Sequence, residues 1–303
     1  MRAGKSSRTA LGVARALLYV SRRPELAGLL PEGAADRTRA LVFAASRAAR
    51  VEFGWMDRRW YRALVGVNER LLVPGGMHHV ALRKRFLDDR VRAALDDGAT
   101  RLVVFGAGFD TLALRVAESR PDVTCFEVDH PATQAAKRKG LATLGEGPEN
   151  LRLVPADFAE TTMEEALAAE LRADDAARTV FVAEGLLMYL SEADVRRLLR
   201  FVRTRSTPAS RLLFTFVGRR PDGRPRAGPY ERTMNVLLRL AGEPFRFGVE
   251  PEDLPRFLGS EGFELETVTR DSELATELLP DRSTAPDRFL DWEMYAAAVR
   301  RPD

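Results

Sequence analysis

The stretch that decides the fold spans residues 101–129 and reads RLVVFGAGFDTLALRVAESRPDVTCFEVD. A short apolar run leads into a Gly-Ala-Gly turn at 106–108, the apolar spacing then becomes helical, and a second apolar run ends in Glu127 and Asp129. This order of strand, glycine turn, helix, strand and acid is the first half of a nucleotide-binding α/β unit. The sequence therefore predicts a ligand site at the turn.

The turn and the acids suit the two ends of a nucleoside ligand. Gly106 and Gly108 have no Cβ, so the backbone turns sharply there and a ligand can lie against it, Ala107 included. An acid about twenty residues later, at the end of the next strand, can accept hydrogen bonds from ribose hydroxyls. Glu127 and Asp129 point to the same side of an extended strand. We expect one to bind the ribose and the other to serve a neighbouring hydroxyl or to be solvated.

The residues after the turn distinguish between cofactors. A dinucleotide fingerprint has a third glycine where Thr111 stands, and its pyrophosphate lies at the start of the helix. Asp110 is unfavourable beside a pyrophosphate but suits a positive group, such as the ammonium and sulfonium of S-adenosylmethionine. The stretch favours S-adenosylmethionine; a dinucleotide and an α/β domain without a site are the alternatives.

Composition limits the classes of protein. The 303 residues are 45% hydrophobic and 30% charged, as is typical of globular proteins. The net charge of +3 comes from arginines with nearly matching acids and forms no concentrated basic stripe, so no nucleic-acid partner is expected. With a single cysteine and three histidines, neither a disulfide framework nor a metal site is expected.

The amino-terminal region does not read as a targeting segment. Arg15 interrupts its apolar run, and no small-residue cleavage site follows. No stretch reaches the roughly twenty apolar residues that span a membrane. We expect a cytoplasmic protein without a membrane partner, either a monomer or a homodimer.

Residues 1–97 predict a helical cap that forms part of an acceptor site. Helical spacing is present at 7–19, 40–53, 60–72 and 79–95. We expect the cap's aromatic residues to pack inside it, with lining an acceptor pocket as the alternative: Phe43, Phe53, Trp55, Trp60 and Tyr61.

Residues 98–303 predict a ligand-binding α/β domain. Strands and helices alternate there, which indicates a parallel sheet with helices on both faces. The insertion at 219–250 follows the fifth strand, at the edge where open α/β sheets bind ligands, and 271–288 reads as a polar loop. We expect strands near 102–106, 123–128, 151–155, 179–184, 211–217, 263–269 and 294–300, and helices near 110–118, 131–144, 161–171, 191–205 and 251–260.

Four successive predicted strands are followed by carboxylates, at Asp110, Asp129, Asp157 and Glu184. The carboxyl ends of parallel strands share one edge of the sheet, where ligands bind. Many acceptor groups at one edge suit a ligand with hydroxyls, an amine and a cation. This matches S-adenosylmethionine better than a dinucleotide with its anionic pyrophosphate.

Several segments resemble, in order, the motifs of the leucine carboxyl methyltransferase family, and particularly its bacterial S-adenosylmethionine-dependent O-methyltransferases, some of which act in polyketide pathways. They are GAGFDTLALR, FEVDHPATQAAK, PADF and AEGLLMYL, with HHVALRKRFLDD before the first strand and EMYAAAVRR at the last. The resemblance covers roughly residues 75–215 well. It implies a Rossmann-like class I methyltransferase sheet of seven strands, mostly parallel, with the last strand antiparallel.

The resemblance also implies the residues that bind the cofactor, S-adenosylmethionine. Gly106 would contact it, Asp129 would bind the ribose, and Asp157 with Phe158 would hold the adenine. At the methionyl end, Glu184 would lie near the cofactor, and its carboxylate would be bound by Arg83, with Arg85 as the competing assignment. Three residues lie close to these motifs, more as packing than as chemistry: Thr111, Met188 and Tyr189.

The acceptor decides whether a base is needed. A carboxylate is ionised at pH 7, whereas a phenol, with a pKa of about 10, would gain from a base. The candidates are His78, His79 and Glu184, and the alternative for the histidines is helix capping. The expected reaction is transfer of a methyl group to a carboxylate or hydroxyl of a small molecule, leaving S-adenosylhomocysteine.

Three other functions are weighed against this one. A protein carboxyl-terminal methyltransferase is disfavoured because the Arg/Ala/Leu-rich composition is typical of a high-GC bacterial genome. A dinucleotide-dependent oxidoreductase is disfavoured by Asp110 and the missing third glycine. A non-catalytic module that binds S-adenosylmethionine stays open.

Overall fold

A computed structural model describes residues 8–157, 163–167, 170–171, 177–228, 242–279 and 289–302. Its centre is a sheet of seven strands: β1 (Arg101–Phe105), β2 (Thr124–Asp129), β3 (Leu151–Pro155), β4 (Thr179–Ala183), β5 (Arg211–Val217), β6 (Phe263–Thr269) and β7 (Glu293–Arg300). They lie in the order β3-β2-β1-β4-β5-β7-β6. The first five are parallel, and β7 runs antiparallel between β5 and β6. The predicted Rossmann-like sheet with an antiparallel last strand is confirmed.

Helices precede the sheet and cover both of its faces. Those that the structure describes are α1 (Arg8–Val20), α2 (Pro24–Ala27), α3 (Ala34–Ala45), α4 (Arg47–Trp55), α5 (Arg59–Leu72), α6 (Gly76–Asp96), α7 (Leu112–Ser119), α8 (Pro131–Leu141), α9 (Met163–Leu167), α10 (Glu192–Thr204), α11 (Leu254–Gly259) and α12 (Asp271–Leu278). A single 3-10 turn, Leu187–Tyr189, follows β4.

The central strands are apolar throughout because both faces of the sheet are covered. Every residue of β1 and β4 is buried. Leu102 and Val104 pack against α6 and α7 on one face, while Val103 and Phe105 pack against α10 on the other. In the parallel register Phe105 lies opposite Val128. The strands therefore end together at one edge, where the glycine turn begins.

The helices before the sheet fall into two groups. Residues of α1, α3, α4 and α5 form an apolar cluster of their own, which Phe109 of the glycine turn joins. The apolar residues of α6 instead pack with those of β1 and β4. The amino-terminal cluster therefore rests directly on the loop that follows β1, and α6 is part of the layer beside the sheet.

Two predictions about local structure are wrong. The helix predicted at 40–53 is interrupted at Ser46, whose hydroxyl accepts a hydrogen bond from the Ala49 amide (3.2 Å) and caps α4. The polar stretch predicted as a loop at 271–288 begins with α12, where the Glu273 carboxylate accepts from the Arg270 amide (3.0 Å). Capping at these polar residues outweighs the loop-like composition.

Two other predicted segments are only partly described. Residues 229–241 of the insertion predicted at 219–250 lie outside the described residues, and so do 280–288 of the predicted loop. Within the part of the chain that the structure covers, no helix combines the length and the apolar character needed to cross a membrane.

The amino-terminal cluster meets the sheet layer at a close helix crossing. A Cβ on Gly140 of α8 would lie 2.6 Å from Leu41 Cα of α3, and backbone cannot yield as a side chain can. Gly140→Ala is therefore expected to lower the free energy of unfolding by about 1–3 kcal/mol. Urea unfolding measures this.

Gly12→Ala in α1 is the matched control, because no atom lies within 4 Å of the added Cβ. Alanine is favoured over glycine inside helices by about 0.5–1 kcal/mol, so this variant should be slightly more stable than the wild type. If Gly140→Ala were as stable as Gly12→Ala, the crossing of α3 over α8 would be wrong.

Candidate active site

A cavity of about 610 Å³ opens at the carboxyl edge of the sheet, within the size range of small-molecule sites. Its floor is the glycine turn and the ends of β2, β3 and β4. Its walls come from α1, from α6 and from the described end of the insertion, including Glu243 and Arg246. Residues from both predicted domains thus meet around one volume.

The glycine turn has the backbone that only glycine adopts readily. Gly106 and Gly108 have φ angles of +63° and +53°, in the left-handed region. The Gly106 amide donates to the Val128 carbonyl (2.8 Å), which fixes the turn to the end of β2. Ala10 of α1 lies over the turn, 3.0 Å from where a Cβ on Gly108 would be. Ala107 also lines the cavity, so a ligand can contact this backbone.

Asp129 lies at the end of β2 and lines the cavity. Its Oδ2 accepts from the Gly108 amide and its Oδ1 from the His130 amide, both at 2.6 Å. Burial raises the pKa of this carboxyl, although the amides and Lys137 act in the opposite direction. A carboxylate has about four acceptor positions, so Asp129 retains capacity for ribose hydroxyls while it holds the turn.

Glu127 has a different place from the one predicted. Its side chain is only 1% exposed, it does not line the cavity, and it forms an ion pair with Lys137 of α8 (2.5 Å). The expectation that Glu127 is solvated is wrong, and the geometry does not support a contact with ligand hydroxyls. Lys137 also donates to the Asp110 carbonyl. The Glu127–Lys137 pair therefore supports the glycine turn without lining the cavity.

The end of β3 contributes a carboxylate that sequence analysis placed with the adenine. Asp157 lines the cavity and lies 3.2 Å from His130 Nε2. His130 Nδ1 accepts from the Ala132 amide (3.2 Å) and so caps α8. Phe158 lies outside the described residues. Sequence analysis missed His130; its position between the acid of β2 and the proline that opens α8 was the available signal.

A chain of buried ion pairs runs along one wall of the cavity. Lys84 Nζ lies 3.0 Å from Asp110 Oδ1 and 2.8 Å from Glu184 Oε2. Arg83 Nε lies 2.8 Å from Glu184 Oε1, and Arg83 Nη1 lies 3.0 Å from Glu293 Oε1. Consecutive residues of α6 thereby connect the glycine turn, the end of β4 and the start of β7. Lys84 and Glu293 were not predicted, because nothing local in the sequence marks them.

The carboxylate of Asp110 is already surrounded by cations of the protein. Burial acts to raise the pKa of its carboxyl, but the cations Lys84, Arg115 and Lys137 outweigh burial and lower it to about 2. Asp110 is ionised at neutral pH and already paired. Asp110 would therefore repel a pyrophosphate less than an unpaired carboxylate at this position would.

The structure distinguishes the two candidate arginines. Arg83 is buried and lines the cavity. Burial disfavours its charged form, but Glu293 and Glu184 raise the pKa of its guanidinium, which stays charged. Arg85 lies outside the cavity lining and pairs with Asp89 (2.6 Å), one turn along α6. Of the two, only Arg83 is placed to reach a ligand.

The histidines predicted as candidate bases are wrong for that role. Neither lines the cavity, and both are buried. His79 Nδ1 lies 3.0 Å from Asp271 Oδ2, and its Nε2 lies 3.0 Å from Glu293 Oε2. Burial lowers the pKa of the ring, but these two carboxylates raise it to about 9. A protonated ring between two acceptors has no lone pair for a proton. His78 lies near Glu25 of α2 instead.

Three residues named beside the motifs have distinct places. Thr111 is buried beneath the turn, where its hydroxyl accepts from Arg115 Nε (3.3 Å), and it does not line the cavity. Tyr189 lines the cavity, and burial raises the pKa of its phenol. The Met188 carbonyl accepts from the Arg246 amide (2.7 Å), which holds the described end of the insertion against the site.

The buried network alternates carboxylates with cations. Asp110, Glu184, Glu293 and Asp271 pair with Lys84, Arg83 and His79, and Arg115 and Lys137 add positive charge near Asp110. Arg83 Nε and Glu184 Oε1 are both buried and pair with each other at 2.8 Å. Both side chains line the cavity, and a guanidinium beside a carboxylate suits the carboxylate and the ammonium at the methionyl end of S-adenosylmethionine.

The profile of the leucine carboxyl methyltransferase family matches residues 31–203, more than half of the chain. The chain belongs to the leucine carboxyl methyltransferase family. The match includes α6, the glycine turn and the ends of β2, β3 and β4, so the family segment contains most of the cavity floor.

Proteins with similar sequences have names that agree with membership of this family. A protein of Mycolicibacterium paratuberculosis, provisionally named an S-adenosyl-L-methionine-dependent methyltransferase, is 30% identical over 216 residues, 69% of this chain and 68% of that one. A Parafrankia protein with a similar provisional name is 38% identical over 135 residues, 44% of this chain and 43% of that one. That second match spans less than half of the relative's length.

Solved structures agree on the fold. A provisionally named methyltransferase from Thermobifida fusca has a TM-score of 0.57 at 21% identity, covering 93% of this chain and 99% of that one. A DUF574 family protein from Streptomyces avermitilis has a TM-score of 0.56 at 16% identity, covering 87% and 96%. The family and fold predicted from the sequence are confirmed.

Proposed function

We propose that the protein is an S-adenosylmethionine-dependent O-methyltransferase that methylates a carboxylate or hydroxyl of a small molecule, with a carboxylate favoured. The observation that carries the proposal is the cavity in which the glycine turn, the β2 acid and the Arg83–Glu184 wall converge. Family membership and the relatives' names support the methyltransferase class. A role in bacterial secondary metabolism is what the resemblance of the motifs to bacterial O-methyltransferases implies, and the named relatives are bacterial.

Each cavity residue has a proposed part. Asp129 binds the ribose, Asp157 binds the adenine, and Arg83 with Glu184 holds the methionyl carboxylate and ammonium. The bound cofactor supplies an electrophilic methyl group. The protein's own contribution is to align the two reactants and exclude water, and alignment is worth about 7–11 kcal/mol in favourable cases.

The surroundings of the cavity favour a carboxylate acceptor. His78 and His79 lie outside it, and both oxygens of Glu184 are already engaged by cations, Oε1 by Arg83 and Oε2 by Lys84. A carboxylate is already ionised at pH 7 and needs no base, whereas a phenol does. We place the acceptor beneath the helices of region 1–97, where α1 covers the cavity. That cover favours a small molecule over a protein terminus.

Isothermal titration with S-adenosylhomocysteine, with NADH as the control, tests the cofactor assignment. Binding of S-adenosylhomocysteine alone supports the proposal, and binding of NADH alone would overturn it. Labelled S-adenosylmethionine then reports turnover with carboxylic acids and phenols. With a carboxylate acceptor the rate should show no ionisation between about pH 6 and 9, so a rate that rises through this range would favour a phenol.

Asp129→Asn tests the ribose contact. A hydrogen bond to a charged group is worth about 1.5–3 kcal/mol, so the affinity for S-adenosylhomocysteine should fall about 10- to 150-fold. Asp122→Asn, in the exposed turn before β2, is the matched control and should bind like the wild type. Unchanged affinity in Asp129→Asn would remove Asp129 from the proposed site.

A further inference from the structure

The outer side of α5 carries an apolar stripe that no described part of the chain covers. Trp60, Leu64, Val67 and Leu71 recur at spacings of four, three and four residues, which places them on one helical face. Sequence analysis expected the aromatic residues of this region to pack inside the cap. Phe43, Phe53 and Tyr61 do so, but Trp60 does not.

α4 extends this stripe. Its Val51 and Trp55 join the four residues of α5, and all six are 46–65% exposed. The Trp55 and Trp60 rings lie 6.0 Å apart across the turn between the helices. We call this surface the α4–α5 face. A contiguous group of large exposed apolar side chains marks an interaction site, whereas scattered ones do not.

Arginines are the exposed cations of α4, α5 and the turn that joins them. Six are exposed: Arg47, Arg50, Arg58, Arg59, Arg62 and Arg70. Among the described acidic residues of α4, α5 and the turn between them, only Asp57 is exposed, and it lies 3.6 Å from Arg22. The other two acids are held by the cap, Glu52 by Arg15 and Glu69 by Arg23. The α4–α5 face is therefore apolar and cationic. A complementary partner has a negatively charged surface over an apolar interior.

The arrangement favours a lipid surface among the anionic partners. A second copy of the chain would bring arginines against arginines. The charges are spread along both helices, and α5 alone is about 21 Å long at 1.5 Å per residue, which suits an extended plane of charge. Tryptophan and aliphatic residues on one side with arginines beside them is the composition of helices that lie in the membrane interface.

We propose that the α4–α5 face docks the protein on an anionic lipid surface, in contrast to the expectation from the sequence of no membrane partner. The apolar stripe enters the boundary between headgroups and acyl chains, and the arginines contact the headgroup phosphates. Since α5 packs on α1, which covers the cavity, docking would bring the cavity cover near the lipid. The proposal is independent of the acceptor's chemistry.

Sedimentation with lipid vesicles tests this on the full chain. Vesicles of phosphatidylcholine mixed with phosphatidylglycerol should bind the protein, vesicles of phosphatidylcholine alone should bind it weakly, and added salt should weaken the anionic binding. Arg58→Glu, Arg59→Glu and Arg70→Glu together should reduce binding at least about a hundredfold, since each arginine contributes about fivefold near an anionic leaflet. Leu64→Glu should also reduce it.

Matched controls exist elsewhere on the surface. Arg219→Glu, Arg220→Glu and Arg224→Glu together change the net charge equally, and Leu144→Glu changes another exposed leucine; both should bind vesicles like the wild type. The proposal is overturned if the wild type does not bind anionic vesicles, or if controls and face variants lose equal affinity. A dimer in solution that Leu64→Glu dissociates, without vesicle binding, would assign the face to a second copy. Binding to polyglutamate but not to vesicles would assign it to an acidic protein.

Discussion

Arg83→Met is expected to lower the free energy of unfolding by about 3–5 kcal/mol and to abolish measurable binding of S-adenosylhomocysteine. Arg83 is buried between Glu184 and Glu293. Methionine preserves much of the volume but removes the charge, and removing one partner of a buried ion pair leaves carboxylates that are neither solvated nor neutralised. Without Arg83, two buried carboxylates each lose a cation at once, and Glu184 keeps its pair with Lys84 while Glu293 keeps its pair with His79.

Arg85→Met is the matched control, because the same substitution two residues along α6 removes only an exposed pair with Asp89. Pairs of that kind contribute about 0.3–0.5 kcal/mol. Urea unfolding without ligand and titration with S-adenosylhomocysteine separate stability from binding. If Arg85→Met impaired binding and Arg83→Met did not, the assignment of the cofactor arginine would be reversed.

The parts of this fold that local patterns specify were predictable. Buried parallel strands are continuous apolar runs because both of their faces are covered, and β1 and β4 follow that rule. The turn at Gly106 and Gly108 was visible because its backbone requires glycine. The acid of β2 was visible because its spacing from the turn is fixed by one helix and one strand.

The partners of the charged residues were not predictable. Glu127 and Asp129 look equivalent in the sequence. In the structure, Glu127 is buried in an ion pair with Lys137 of α8, whereas Asp129 lines the cavity. His79 looks like a base beside a cofactor arginine until Asp271 and Glu293, about two hundred positions away in the chain, are seen to enclose it. Such contacts depend on how helices pack, which no local spacing encodes.

Which faces of the cap helices are exposed also could not be predicted from the sequence. A stripe at helical spacing indicates that one face is apolar, but it does not say what covers that face. On α1 the stripe is covered by neighbouring helices, and on α5 the same kind of stripe, with Trp60, is exposed. Only the packing of the whole cap decides between these outcomes.

The protonation of His79 should appear as a pH dependence of stability. Asp271 and Glu293 flank the ring, Tyr295 Oη lies 3.1 Å from Nδ1, and Arg83 Nη1 lies 3.4 Å from Nε2. Although burial and Arg83 disfavour the charged ring, the two carboxylates raise its pKa from 6.5 to about 9. The folded state therefore binds this proton more tightly than the unfolded state does.

The sign of the effect follows from that difference. The stabilisation by His79 is fully present below about pH 6.5 and is lost as the pH rises through about 9, with a total of about 3 kcal/mol for a shift of this size. Urea unfolding between pH 6 and 10 should show the decline. His79→Gln keeps a polar side chain but does not titrate, so its stability should be lower at pH 6 and should lack this decline. An equal decline in the variant would show that another group titrates, and His79 would then be neutral in the folded protein.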